Sequence, residues 1–138
     1  MSSFRTCPLC CCLCILLVSA AGSAAEEPFQ TPAISPEEVH ERQADGETLL
    51  MIVDVREQGE YKSGHLPGAI NISHQKLERE LDRLLGASGV VLYCINGSRT
   101  RLAEQTLIEH DVPNVYHLEG GLMGWRKAGY QVHTGWGP

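Results

Sequence analysis

The chain has 138 residues, which is enough for one domain. Hydrophobic residues make up 43% of it and charged residues 20%, as in an ordinary soluble globular protein. The formal net charge of −6, with no run of basic residues, argues against nucleic acid and against an anionic membrane surface as partners.

The first 25 residues differ in composition from the rest of the chain. Arg5 is the only charged residue before Glu26, an apolar run covers 9–18, and small residues fill most of 19–25. This order is that of a secretory signal peptide, with cleavage expected after Ala25. The alternative is an uncleaved membrane anchor, but the strongly apolar part is about half of the ~20 residues that a spanning helix needs. We therefore expect an exported protein, located in the periplasm if the source is bacterial.

Cleavage at that point would change the cysteine content. Five of the six cysteines lie within the first 14 residues, and only Cys94 would remain. A single thiol cannot form an internal disulfide, although exported proteins commonly use them. A lone thiol in an oxidising compartment invites oxidation, so Cys94 calls for a chemical explanation.

Helix and strand signals alternate along the remaining chain, between a polar lead-in at 26–33 and a polar tail at 131–138. Four apolar runs have the composition of buried strands: 49–55, 69–72, 89–93 and 115–118. Helical or turn signals fill the other segments: 36–45 with Ser35 as N-cap and Glu38 completing Ser-x-x-Glu, 57–63, 73–85, 98–110 and 121–125.

Two of these helices have a predicted apolar face. In the segment 73–85, Ser73 is the expected cap, and the leucines at helical spacing are Leu77, Leu81, Leu84 and Leu85. In the segment 98–110, the expected face consists of Leu102, Ala103, Thr106 and Leu107. Strands that alternate with helices predict an α/β fold, a parallel sheet with helices on both faces.

In such sheets ligands bind outside the carboxyl ends of the strands, and Cys94 follows directly after the strand 89–93. The segment continues as Ile95, Asn96, Gly97, Ser98 and Arg99, and we call residues 94–99 the Cys94 loop. A short glycine-bearing loop before a helix can turn its N–H groups inward to bind an anion. A thiol there is expected to have a lowered pKa, and Arg99 would add a positive charge. The simpler alternative is that Cys94 is a small buried hydrophobe.

Three stretches resemble the signatures of rhodanese domains, in the family's order and approximate spacing. They are the run 54–72, with Asp54-Val55-Arg56-Glu57, Glu60-Tyr61 and Gly64-His65-Leu66-Pro67-Gly68-Ala69; the loop Tyr93–Arg99; and Glu119-Gly120-Gly121 with Trp125. The resemblance covers 34–130, the expected domain. It implies a rhodanese-like α/β fold with a five-stranded parallel sheet, and sulfurtransferase activity without a cofactor.

The resemblance also implies roles for the Cys94 loop. Cys94 would carry sulfur as a persulfide, and the amides of Ile95, Asn96, Gly97, Ser98 and Arg99 would hold it. The partners implied are a small anionic sulfur donor and a thiophilic acceptor, for which thiosulfate and cyanide are the usual test compounds. A protein thiol is a further candidate acceptor.

The other signature residues are interpreted as structural. Asp54 and Arg56 are expected to form a buried ion pair or hydrogen bonds to neighbouring loops. His65 is expected to fix its loop by hydrogen bonding, and Trp125 to pack in the core. Trp136 has no assigned role. No metal site is predicted, because the remaining histidines show no metal-ligand spacing: His40, His74, His110, His117 and His133.

Two other functions compete with sulfur transfer. A phosphatase or arsenate reductase would use Cys-x5-Arg, whereas Cys94 and Arg99 give Cys-x4-Arg, a smaller loop that suits one sulfur atom better than a tetrahedral oxyanion. A sulfur carrier without turnover, or a partner-binding module of the same fold, is the second. Inactive versions of the fold usually lack the cysteine that this chain retains.

Overall fold

Five parallel strands form one sheet in the computed structural model, which describes residues 28–138. The predicted signal peptide lies outside the described residues. The strands are β1 (Ala33–Ile34), β2 (Leu50–Asp54), β3 (Ile70–Asn71), β4 (Gly89–Tyr93) and β5 (Val115–Leu118). Their order across the sheet is β1-β5-β4-β2-β3, and every pairing is parallel. This confirms the five-stranded parallel sheet.

The strand β1 lies at the end of the segment that the sequence assigned to a polar lead-in. It pairs with β5, with Ala33 opposite His117 and Ile34 opposite Leu118. Two residues are too few to show strand periodicity in a sequence, because alternation needs at least four positions to be recognised. Its pairing partner only becomes apparent once β5 is in place.

In the described part of the chain, five α-helices pack around the sheet: α1 (Pro36–Ala44), α2 (Gln58–Ser63), α3 (Leu81–Leu85), α4 (Ser98–Glu109) and α5 (Gly121–Lys127). The predicted cap of α1 is present, since the N–H of Glu38 donates to Ser35 Oγ at 3.1 Å. Within residues 28–138 no helix is long and apolar enough to cross a bilayer.

Alternation along β4 divides the core between the two faces of the sheet. Val91 and Tyr93 join one buried cluster, which includes residues of α1, α2 and α5. Val90, Leu92 and the following Cys94 join the other, which includes residues of α3 and α4. All five residues of β4 are buried, as expected for the central strand of a sheet covered on both faces.

The prediction of one helix from Ser73 to Leu85 is wrong. The segment forms a 3-10 turn at Leu77–Arg79 and then the short helix α3. Ser73 does not cap a helix; its hydroxyl donates to the Glu57 carboxylate at 2.7 Å. Leucines seven positions apart still reach the core: Leu77 and Leu84 are buried, whereas Leu85 is 51% exposed.

The predicted apolar face of α4 is also partly wrong. The buried residues are Thr100, Ala103, Glu104 and Leu107, whereas Leu102 is 54% exposed. The buried face is therefore rotated, and it includes a hydroxyl and a carboxylate that hydrophobicity alone would place outside. Each of these polar side chains has a specific neighbour, as described below.

Asp54 and Arg56 form a buried ion pair at the carboxyl end of β2, which confirms their structural interpretation. Arg56 Nε lies 2.9 Å and 3.1 Å from the two Asp54 oxygens, and Arg56 Nη2 donates to Asp54 Oδ2 at 2.5 Å. The same Nη2 donates to the carbonyl of Gly64 at 2.6 Å. The pair thereby joins β2 to the loop after α2.

We expect Arg56→Ala to lower the free energy of unfolding by about 3–5 kcal/mol, because it leaves the buried Asp54 carboxylate without its counter-charge. Urea unfolding followed by circular dichroism measures the change. Arg83→Ala is the control, since Arg83 pairs with Glu80 at the surface and such pairs contribute about 0–1 kcal/mol. Equal losses in the two variants would contradict the assignment.

Candidate active site

Cys94 lies at the carboxyl end of β4 and is fully buried. The N–H of Gly97 donates to Cys94 Sγ at 3.0 Å, so the loop folds back over its own first side chain. Gly97 has a φ of +106°, which favours glycine, and it is the N-cap of α4. The thiol therefore lies beneath a backbone turn, at the start of a helix.

The N-terminus of α5 holds the carbonyl groups of the Cys94 loop. The N–H of Leu122 donates to the carbonyl of Cys94 at 2.8 Å, and the N–H of Met123 donates to the carbonyl of Ile95 at 3.2 Å. In a trans peptide the C=O and the next N–H point in opposite directions. Because these two carbonyls face α5, the N–H groups of Ile95 and Asn96 point away from α5.

Gly121, the first residue of α5, allows this close approach. A Cβ atom there would lie 2.6 Å from the carbonyl oxygen of Cys94 and 2.9 Å from that of Ile95. Its φ of +57° is also in the left-handed region that favours glycine. Any side chain at this position would push the loop off the helix end, which explains why the signature residue here must be glycine.

Opposing influences act on the Cys94 thiol. Burial is the largest, and by itself it would raise the pKa. The hydroxyl and the amide of Thr100 and the amides of Asn96 and Gly97 lie near the sulfur and act in the opposite direction. Together these donors outweigh burial, so the pKa of Cys94 lies below its ordinary value. A buried thiol that is biased toward thiolate is suited to act as a nucleophile.

Thr100 is a site residue that the sequence analysis did not single out. Its side chain is 1% exposed, and its hydroxyl has no hydrogen bond of good geometry among the described residues. Thr100 nevertheless lowers the pKa of the Cys94 thiol, through both its side chain and its amide. Its place in the first turn of the helix after the loop could have indicated this role, because the first N–H groups of a helix have no partner within the helix and can bind a group placed at its end.

Arg99 is not an unpaired positive charge beside the thiol, because it forms a bidentate ion pair with Glu60 of α2. Arg99 Nη1 and Nη2 lie 2.5 Å and 2.9 Å from the two Glu60 carboxylate oxygens. Hydrogen bonding to Arg99 is the largest influence on Glu60 and lowers its pKa to about 2. The same bond raises the pKa of Arg99, and the charge of the Cys94 thiolate adds to that rise. Arg99 therefore interacts with both groups, and Glu60 neutralises much of its charge.

The remaining loop side chains face outward or bond to each other. Asn96 Oδ1 accepts from the N–H of Ser98 at 3.3 Å and from its hydroxyl at 3.1 Å. Both residues are exposed, while Ile95 is half-buried and packs against the core on the α5 side. The loop thus offers its backbone to the site, and its side chains stabilise the turn.

His65 fixes its loop by hydrogen bonding, as expected. Its ring nitrogens lie 2.8 Å from the carbonyl oxygen of Tyr61 and 2.7 Å from that of Gly137. Trp125 is 1% exposed and packs in the core, which confirms its predicted role. Trp136 is exposed and lies against Lys62, whose Nζ is 3.9 Å from the centre of the indole ring. No cluster of three or more candidate metal ligands occurs within residues 28–138.

Comparisons with known proteins identify the family to which this fold is related. The family model of the Rhodanese-like domain matches residues 35–128. The chain is 38% identical over 115 residues to the HTH-type transcriptional regulator Rv0324 of Mycobacterium tuberculosis. This match covers 81% of this chain and 50% of that protein. It is 36% identical over 80 residues to the uncharacterized protein YqhL of Bacillus subtilis, covering 58% of this chain and 64% of that protein.

The fold is also similar to that of a solved enzyme. The crystal structure of thiosulfate sulfurtransferase from Pseudomonas aeruginosa superposes with a TM-score of 0.69 at 29% identity, over 77% of this chain and 21% of that one. The chain thus spans less than two thirds of each of these relatives. The family match covers more than half of this chain, and the chain belongs to the rhodanese-like domain family.

Proposed function

We propose that the protein is a sulfurtransferase that moves sulfane sulfur from thiosulfate or a similar anionic donor to a thiophilic acceptor through a persulfide on Cys94. The observation that carries the proposal is the buried Cys94 thiol at the carboxyl end of β4, to whose Sγ the N–H of Gly97 donates at 3.0 Å. The likeness of the fold to a thiosulfate sulfurtransferase supports the same reaction class.

The reaction consists of two displacements at sulfur. In the first, the Cys94 thiolate attacks the outer sulfur of thiosulfate, the S–S bond of the donor breaks, and sulfite leaves with its electron pair. In the second, the carbon of cyanide attacks the outer sulfur of the persulfide, and the electron pair of that S–S bond returns to Cys94 as thiolate. Thiocyanate leaves, and no external oxidant or reductant is needed. A covalent intermediate of this kind divides one transfer into two easier steps.

The Cys94 loop stabilises negative charge in both steps. The N–H of Gly97 bonds to Sγ in the thiolate, and loop amides can hold the terminal sulfur of the persulfide because the α5 contacts turn the carbonyls away. The Thr100 hydroxyl is a further donor beside Cys94. Amides that are already oriented stabilise this charge without reorganisation, which is the basis of electrostatic catalysis.

We expect thiosulfate to add one sulfur atom to Cys94 and cyanide to remove it. Intact-mass spectrometry measures both steps, and thiocyanate release measures turnover. Cys94→Ser should abolish both, because a hydroxyl cannot form a persulfide. Turnover by Cys94→Ser would overturn the mechanism, whereas a single loading without cyanide turnover would favour a sulfur carrier.

We expect Arg99→Ala and Glu60→Gln to change donor affinity in opposite directions. Loss of the guanidinium should lower kcat/KM for thiosulfate by about one to two decades, mainly through KM, since a charge-assisted hydrogen bond contributes roughly 1.5–3 kcal/mol. Removal of the Glu60 charge leaves Arg99 unneutralised, and should lower KM about twofold to fivefold at low ionic strength.

Steady-state kinetics at two salt concentrations provide the measurement. Because the pKa of Glu60 is about 2, the carboxylate is charged throughout the neutral range, and the effect should not vary with pH there. Glu37→Gln, at an exposed position of α1, is the matched control for charge removal. If Arg99→Ala and Glu60→Gln weaken thiosulfate use equally, the pair only shapes the loop and Arg99 does not attract the donor.

We further propose that the protein is exported and that its mature form begins near Glu26. The support is the composition of the first 25 residues: one basic residue, an apolar run and small residues before the expected cleavage site. N-terminal sequencing of protein recovered from the exported fraction is expected to read Glu26 first. A membrane-bound species that retains Met1 would instead establish the uncleaved anchor.

A further inference from the structure

A short segment before β1 is fixed to α4 by a buried carboxylate that the proposed chemistry does not use. We call residues 29–31 the N-terminal strap. Glu104 is 1% exposed and accepts from the N–H of Gln30 at 2.8 Å, from the N–H of Thr31 at 3.1 Å and from the Thr31 hydroxyl at 2.6 Å. These bonds satisfy the buried charge, and they explain why a carboxylate occupies the buried face of α4.

Phe29 directly precedes these bonded residues, and its ring contacts both β5 and α4. The ring stacks on His117 of β5, with 3.7 Å between ring centres and 9° between planes. The guanidinium carbon of Arg101 lies 4.5 Å from the centre of the Phe29 ring. Gly97, Arg101 and Glu104 are four and three positions apart, so they form one stripe along α4. The strap follows this stripe from Glu104 toward the Cys94 loop.

The tip of the Phe29 ring reaches Gly97. A Cβ atom on Gly97 would lie 2.8 Å from Phe29 Cζ, so the ring occupies the space next to the Gly97 backbone. Gly97 is the residue whose N–H donates to Cys94 Sγ at 3.0 Å. Having no side chain, Gly97 cannot hold itself in place by packing, and glycine can adopt many backbone conformations.

We propose that Phe29 is a positioning residue for the Cys94 site: by packing against Gly97, it keeps the Gly97 N–H directed at the sulfur. The proposal concerns the ionisation of the Cys94 thiol. Its consequence for sulfur transfer rests on the proposed function. Its physical basis is that removing the ring opens space beside a glycine, which lets the backbone turn relax and the N–H···S bond weaken.

The test is the pH dependence of alkylation at Cys94 by iodoacetamide. Alkylation is followed by mass spectrometry on the tryptic peptide 84–99, in which Cys94 is the only cysteine. We expect Phe29→Ala to move the midpoint of the rate profile to higher pH, with alkylation at pH 7 about three to ten times slower and an unchanged plateau at high pH. Phe29→Leu, which keeps part of the packing, should fall between Phe29→Ala and the unsubstituted protein.

Gln30→Ala is the matched control. Its side chain is exposed, and the substitution keeps the N–H that bonds to Glu104, so its profile should match that of the unsubstituted protein. An unchanged midpoint in both Phe29 variants would overturn the proposal. So would an unchanged midpoint with a higher plateau, because the ring would then only shield the thiol. Failure of the unsubstituted protein to transfer sulfur would refute the proposed function and leave this test intact.

Discussion

The contact between the first turn of α5 and the Cys94 loop is the constraint on which the site depends. Two N–H groups of α5 bind the carbonyls of Cys94 and Ile95, and Gly121 has no side chain to keep the two backbones apart. A loop of six residues has several ways to place its peptide groups. Binding the carbonyls on one side leaves the N–H groups for the other, which is where a negatively charged sulfur requires them.

The second feature of the site is a balance between burial and hydrogen bonding. Burial raises the pKa of a thiol, and it does so most strongly where the thiol is best protected from solvent. Here Cys94 is fully buried, yet the surrounding donors keep its pKa below the ordinary value. The protein thus excludes solvent from the nucleophile, while the surrounding donors offset the cost that burial places on the thiolate. The ion pair between Arg99 and Glu60 sets the local charge at the edge of the same loop.

Several features of the fold and site could be predicted because their signals are local. The strands 89–93 and 115–118 have the predicted bounds, and Ser35 caps α1 as its position before Pro36 indicates. The Asp54–Arg56 pair could also be predicted, since two opposite charges at the end of an apolar strand lie at the same edge of the sheet. The helix predicted at 73–85 was wrong because leucine spacing does not reveal that Ser73 bonds to Glu57 instead of capping a helix.

The sequence by itself determined the alternation of strands and helices, the place of Cys94 at a carboxyl strand end, and a loop one residue shorter than Cys-x5-Arg. Only the tertiary structure decided which groups meet that loop. Glu60 lies 39 positions from Arg99, and the strap lies more than 70 positions from Glu104. The strand order β1-β5-β4-β2-β3 places β4 between β2 and β5, so that α2 after β2 and the strap before β1 both reach the segment that follows β4. The strand order cannot be read from spacing along the chain, because the order follows from how the helices pack on the two faces of the sheet.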